Sequence, residues 1–364
     1  MSLLEVTDLR VGFPTSDGLV RAVRGVSFSV ESGRTLGIVG ESGSGKTVLT
    51  QTLLGLAPGG QISGKALFDG TDLLSLRPDE LQKIRGAQIA VIFQDPLTSL
   101  HPLYKVGWLI AEMFSAHEPS TCKSQDTARA VDLLGRVGIP RPAERVNDYP
   151  HQFSGGMRQR VMIAMAISLA PKLIIADEPT TALDATVQAQ ILDLLLRLQQ
   201  ESQTALIMIT HDLGVVADIA DDVMVMYAGR AAEKATKHDI FYAPHHPYTK
   251  GLLESIPNSS AAGGRLRPIT GQPPSLINLP SGCAFHPRCA YVMDRCLTEE
   301  PRLVAVGDAG MHRSACFLPP TALGVTQEAE AERKRVVVQG RSDAAAKVAE
   351  EIAERPEAEG SVIA

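Results

Sequence analysis

Two stretches of this chain carry residue types suited to work on a phosphate anhydride. Gly40-Glu41-Ser42-Gly43-Ser44-Gly45-Lys46-Thr47 sets two glycines five positions apart, directly ahead of Lys and Thr. Glycines let successive backbone N–H groups turn toward one anion, the helix that follows presents its positive end, and the lysine reaches the β and γ phosphates. Gly40, Ser42, Gly43, Gly45 and Lys46 are thus the expected cradle of a nucleotide, with the Thr47 hydroxyl directed to Mg²⁺. The second stretch, Leu173-Ile174-Ile175-Ala176-Asp177-Glu178, ends a buried apolar run with two carboxylates. At a strand end both can line one site, Asp177 toward Mg²⁺ through water and Glu178 toward an attacking water. Phosphoryl transfer is mostly positioning and charge neutralisation, so these groups suffice for ATP hydrolysis.

Such residues meet only if strands and helices deliver them. Residues 3–31 alternate apolar and polar positions around a turn at Thr15-Ser16-Asp17-Gly18, as an antiparallel meander does. Residues 34–39 form a short β-prone run ending in glycines, and 46–56 change to helical spacing. Another strand at 89–93 precedes a helix-rich insert, and 157–170 reads as helix. The runs 173–176 and 205–210 are apolar enough for strands buried on both faces, with a helix at 187–200 between them. This order predicts an α/β fold: a mainly parallel sheet, an antiparallel β-subdomain and a helical subdomain. Past residue 230 Pro and Gly become frequent and periodicity weakens. The expected organisation is a core at 1–94 and 150–240, a helical subdomain at 95–149, a C-terminal extension at 241–324 and a tail at 325–364. The tail holds six basic and nine acidic residues and is expected to be disordered.

Composition narrows the function further. Among 364 residues, 44% hydrophobic and 21% charged, the net charge is −6, without the basic surplus of proteins that track a nucleic-acid backbone. No nucleic-acid partner is expected. No uncharged apolar run reaches the roughly 20 residues that span a bilayer, and the first ten residues lack the order of a signal peptide. A soluble protein on the cytoplasmic side is the expectation.

Between the two phosphate-directed stretches lies Phe153-Ser154-Gly155-Gly156-Met157-Arg158-Gln159-Arg160, immediately before a helix. Here the chain resembles the ATP-binding subunits of ABC transporters. Gln94 after a strand, Ala182-Leu183-Asp184 beyond the carboxylates and His211 after the next strand follow in the family's order. The resemblance implies a P-loop ABC-type nucleotide-binding domain in which a second subunit presents Ser154, Gly155 and Gly156 to the γ-phosphate, so that two chains share each nucleotide. It also implies roles for single residues. Glu178 is similar to the general base, His211 to the γ-phosphate sensor and Asp184 to the cross-dimer contact, while Gln94 matches the residue that joins metal and water to the helical insert. Phe13 stands where the family sets an aromatic ring against adenine. Met157 departs from the family's usual glutamine.

A transporter motor without a membrane span needs separate channel subunits. The resemblance places two transmembrane permeases against the insert, where Trp108, Leu109, Ile110, Met113 and Phe114 suit either such a groove or the insert's own core. His245-His246-Pro247-Tyr248-Thr249 and Gly282-Cys283-Ala284-Phe285-His286-Pro287-Arg288-Cys289 resemble the extension of dipeptide and oligopeptide importer ATPases. The implied protein drives peptide uptake at the cytoplasmic face of the membrane. It would pair with a second ATPase chain, either a different one or a copy of itself, and would be served by an extracytoplasmic peptide-binding protein. Nickel importers share parts of the extension, and ABC-type nucleic-acid maintenance ATPases share the core motifs, although no sustained heptad stretch lies between Gln94 and Ser154.

Cys283, Cys289, Cys296 and Cys316 have five, six and nineteen residues between successive thiols. Four thiols in a reducing compartment suggest a metal, and the spacing lacks the two-residue gap of common zinc ribbons. The importer resemblance implies a [4Fe–4S] cluster at these positions, with Zn²⁺ as the alternative.

Overall fold

The structure, a computed structural model, describes residues 2–118, 122–181, 183–255, 269–307 and 311–323. The expected tail at 325–364 lies outside the described residues. In chain order the strands are β1 (Ser2–Thr15), β2 (Gly18–Glu31), β3 (Thr35–Val39), β4 (Gln61–Phe68), β5 (Thr71–Asp72), β6 (Ile89–Ile92), β7 (Leu173–Asp177), β8 (Ala205–Thr210), β9 (Asp222–Tyr227), β10 (Arg230–Thr236), β11 (Val304–Ala305) and β12 (Arg313–Ser314). They form a four-stranded antiparallel sheet, order β2-β1-β4-β5, and an eight-stranded sheet, order β11-β12-β10-β9-β3-β8-β7-β6. From β9 to β6 the large sheet is parallel. At the β10 side it turns antiparallel.

The two sheets follow from two kinds of sequence. Every residue of β3, β7 and β8 is buried, as continuous apolar runs covered on both faces require. β1 mixes buried Leu4, Val6, Leu9 and Val11 with exposed Glu5, Thr7 and Arg10, so one face packs inward. Those apolar residues share a core with Ile38, Leu49, Ile175, Ile207 and Met224, which joins the antiparallel sheet to the parallel one. A second core packs the helices Val106–His117, Lys123–Arg136 and Gly155–Ile167 against Ile92, Ala176 and Met208.

The extension is woven into this framework. Strands β11 and β12 continue the large sheet beyond β10. Tyr248 is fully buried, its ring 4.6 Å from that of Tyr227, and Phe285 meets Tyr227 edge-on at 5.2 Å. Glu233 of β10, buried completely, accepts hydrogen bonds from the amides of His245 (2.6 Å) and His246 (3.0 Å) and pairs with His312 Nε2 at 2.7 Å. A buried carboxylate is tolerated only when satisfied in this way. Burial pushes His246 down to about 4, so it is neutral, and its Nδ1 accepts from the Tyr248 amide at 3.0 Å. Glu300 binds Arg24 (2.5 Å) and Arg230 (2.6 Å), tying β2 to β10.

Candidate nucleotide site

β3 ends at Val39, and the chain then turns through the glycine loop into the helix Lys46–Leu53. Gly40 has φ 154° and Gly45 has φ 97°. A Cβ on either would stand 2.2 Å from a backbone oxygen, of Met226 or Ala22 respectively, so neither position tolerates a side chain. The buried Lys46 Nζ donates to the carbonyls of Gly40 (2.7 Å) and Glu41 (3.0 Å). Burial pulls its ammonium down, opposed by the carboxylates of Glu178, Asp177 and Glu41. The loop therefore places a desolvated cation where its charge acts with little screening.

β7 delivers the acidic pair. The Thr47 hydroxyl donates to Asp177 Oδ1 at 3.2 Å, and burial raises the Asp177 carboxyl. Glu178 stands in the left-handed region at φ 46°, a costly conformation for a residue with a Cβ. Its amide donates to the Ile209 carbonyl of β8 at 2.9 Å, and three side chains converge on its Oε2. Gln94 Nε2 donates from 3.1 Å, Thr181 Oγ1 donates from 2.9 Å, and His211 Nδ1 lies 3.3 Å away. Gln94 and His211 follow β6 and β8, so three neighbouring strand ends supply one carboxylate with its surroundings.

A cavity of about 870 Å³ opens here, lined by Phe13, Ser42, Gly43, Gly45, Lys46, Thr47, Gln94, Glu178 and His211 among others. Gly40 and Asp177 stand just behind it, bound to Lys46 and Thr47. Ser154, Gly155, Gly156 and Asp184 do not border it. Ser154 caps the helix Gly155–Ile167, accepting from the Met157 amide at 3.3 Å, and Asp184 caps Ala185–Ser202, accepting from the Val187 amide at 3.0 Å. Within one chain the glycine loop and the serine-glycine helix tip are separate.

Sequence reading missed the grip of the extension on the loop. Arg288 makes a bidentate pair with Glu41 (2.6 and 2.9 Å), the Glu41 amide donates to the Tyr248 hydroxyl at 2.8 Å, and Leu252, Ser255, Ile269 and Leu276 line the same cavity. Glu41 belongs to the loop motif, but nothing in its neighbourhood announces a partner 247 positions away.

The cysteines require a correction. Cys283, Cys289, Cys296 and Cys316 all border one cavity, but it measures about 10 Å³, roughly the space of a single water, and Phe285, Phe317 and Leu318 help close it. Among the described residues no three His, Cys, Asp or Glu side chains are gathered to hold a metal ion. Burial raises the thiols of Cys283 and Cys289, and that of Cys316 to about 11. The Cys289 and Cys316 sulfurs accept from the amides of Tyr291 (3.4 Å) and Leu318 (3.5 Å). Neither a [4Fe–4S] cluster nor zinc is supported at these residues. Clustering along the chain suggested a ligand set, and the apolar packing around the thiols could not be read from spacing.

The fold and the loop-carboxylate arrangement define an ATP-binding cassette. Residues 23–181 match the family model described as ABC transporter, and 232–296 match that of the oligopeptide/dipeptide transporter C-terminal region. The oligopeptide transport ATP-binding protein OppD of Salmonella typhimurium is 51% identical over 318 residues, 87% of this chain and 94% of that protein. The dipeptide transport ATP-binding protein DppD of Escherichia coli is 49% identical over 321 residues, 88% of this chain and 97% of that protein. The dimeric cassette MJ0796, solved in a post-hydrolysis state with ADP and Pi, superposes with a TM-score of 0.59 at 25% identity, covering 64% of this chain and 98% of that one. This chain belongs to the family of ATP-binding subunits of oligopeptide and dipeptide ABC transporters.

Proposed function

We propose that this chain is the ATP-hydrolysing motor of an importer that moves di- and oligopeptides across the cytoplasmic membrane. The observation that carries hydrolysis is the convergence of Gln94, Thr181 and His211 on Glu178 beside the glycine loop. Lys46 and the loop amides bind the triphosphate, Glu178 accepts the proton of the attacking water, and His211 addresses the γ-phosphate. The Thr47 hydroxyl and Asp177 carboxylate, 3.2 Å apart, are hard oxygen donors that suit Mg²⁺, and Gln94 lines the same cavity as Thr47 and is the third ligand proposed. That ion neutralises charge on the phosphates when bound.

Ser154, Gly155 and Gly156 serve the nucleotide of a second ATPase chain, across a dimer in which Asp184 is a contact. Their position outside this chain's own cavity supports that division. The pairing favoured is a heterodimer. Among the described residues no helix is long and apolar enough to cross a membrane, so two permease subunits hold the motor at the cytoplasmic face. The insert provides their docking region. Leu109, Ile110 and Phe114 belong to its core, whereas Leu97, Leu103, Tyr104 and Trp108 are exposed, and the last two rings stack at 4.0 Å. Gln94 lies just before this apolar strip and reaches Glu178, so permease position and hydrolysis are coupled through one side chain. A peptide-binding protein outside the membrane delivers the cargo. The match at 232–296 favours peptides over nickel, and the −6 net charge disfavours nucleic acid. Vesicles carrying the complete importer should accumulate labelled tripeptide only with ATP. Uptake of Ni²⁺ but no peptide would refute the cargo.

A further inference from the structure

The cavity that holds Lys46 is walled partly by the extension, and apart from Ser255 that wall is apolar. Leu252 from the helix Pro247–Glu254 and Ile269 and Leu276 from the following segment border it together with Phe13 and Val20. The segment is held firmly. The Leu276 carbonyl accepts from the Arg21 amide of β2 at 3.1 Å, beside Val20, and Ile269 packs on Gly251, where an added Cβ would lie 2.9 Å from its Cγ1. Arg288 joins wall and loop: its Nε donates to the Thr270 carbonyl at 3.0 Å, while its two terminal nitrogens grip Glu41.

The loop amides and Lys46 take the triphosphate and Thr47 and Asp177 its Mg²⁺, so the apolar part of the cavity is left for the flat, weakly polar part of the nucleotide. We propose that Leu252, Ile269 and Leu276 form one wall of the base pocket, opposite in origin to Phe13, and that the extension sets nucleotide affinity through them. The inference rests on the reading of the glycine loop as the triphosphate site. An aromatic base buried between a phenylalanine ring and aliphatic side chains gains apolar contact on its faces. Apolar contact discriminates poorly between purines, so the wall contributes affinity rather than a choice of base.

The test compares MgATP with magnesium tripolyphosphate, which has the phosphates and no base, on the full-length chain by calorimetry. In the double variant Ile269→Ala, Leu276→Ala, ATP affinity should fall about tenfold while tripolyphosphate affinity stays within about twofold. Unchanged ATP affinity would overturn the wall. So would equal losses for both ligands, since these residues would then act only through the shape of the loop. Lys46→Ala separates the underlying reading: it should abolish binding of both ligands, and a Lys46→Ala chain that still binds tripolyphosphate normally removes the triphosphate site itself.

Discussion

Around Glu178 the chain supplies its own machinery: Gln94, Thr181 and His211 all lie within 3.3 Å of one carboxylate oxygen, and Thr47 is bonded to Asp177. Around Ser154 it does the reverse. Ser154 and Asp184 accept hydrogen bonds from their own helices, and the helix tip they frame lies outside the cavity of Lys46. One region is an assembled cluster and the other is an exposed helix N-terminus, the kind of end that can receive an anion. On the proposed function the contrast amounts to a division between chains: water and metal are positioned internally, while closure over the γ-phosphate comes from outside.

Two substitutions should separate these regions most sharply. Glu178→Gln keeps the shape of the assembled cluster but cannot accept a proton, so steady-state turnover should fall about 10³-fold with ATP affinity retained. Turnover within a few-fold of the parent would remove Glu178 as base. Gly155→Glu alters the exposed tip. A Cβ there has room, with Leu183 Cδ2 3.7 Å away, and an acidic residue in the first helical turn is favoured by the dipole. The fold should therefore survive, while repulsion of phosphate lowers turnover of the assembled dimer about 10²-fold. Normal dimer turnover would show that the tip does not face nucleotide.

The extension tests how independent the assembled cluster is. Arg288→Ala takes from the Glu41 carboxylate its bidentate partner and from the Tyr227 hydroxyl a donor, and should cost about 2 kcal/mol in urea unfolding and weaken ATP binding. Lysine cannot reproduce the bidentate geometry, so Arg288→Lys should restore little of either. An effect of similar size is expected from pH. His246 sits at about 4 in the folded protein, below an unfolded histidine near 6.5, so the unfolded chain takes up the proton first. Stability is thus fully present above about pH 6.5 and is lost as pH falls, by about 2 kcal/mol at pH 5. His246→Asn, which keeps an acceptor for the Tyr248 amide, should flatten that part of the profile relative to the parent.

What sequence could reveal follows the same division by distance. Gly40 to Thr47 and the Asp177-Glu178 pair are local patterns whose strand and helix context is also local, and the alternation of β1 against the continuous apolar β7 and β8 separated the two sheets. Gln94 and His211 carry no chemistry in isolation; only the order of motifs along the family resemblance singled them out. The Arg288 pair with Glu41 spans 247 positions and leaves no trace in either neighbourhood. The cysteines erred in the opposite direction, because proximity along the chain implied a ligand set, whereas the thiols border a cavity of about 10 Å³ closed by Phe285, Phe317 and Leu318.

ATP turnover by the chain held as a single protomer, with its state verified by sedimentation at each dilution, addresses the division of labour most directly. If the helix tip must come from another chain, turnover per protomer should fall at least about 10²-fold as the dimer dissociates and return when a second ATPase chain is added. A verified single protomer that hydrolyses ATP at the undiminished rate would contradict it.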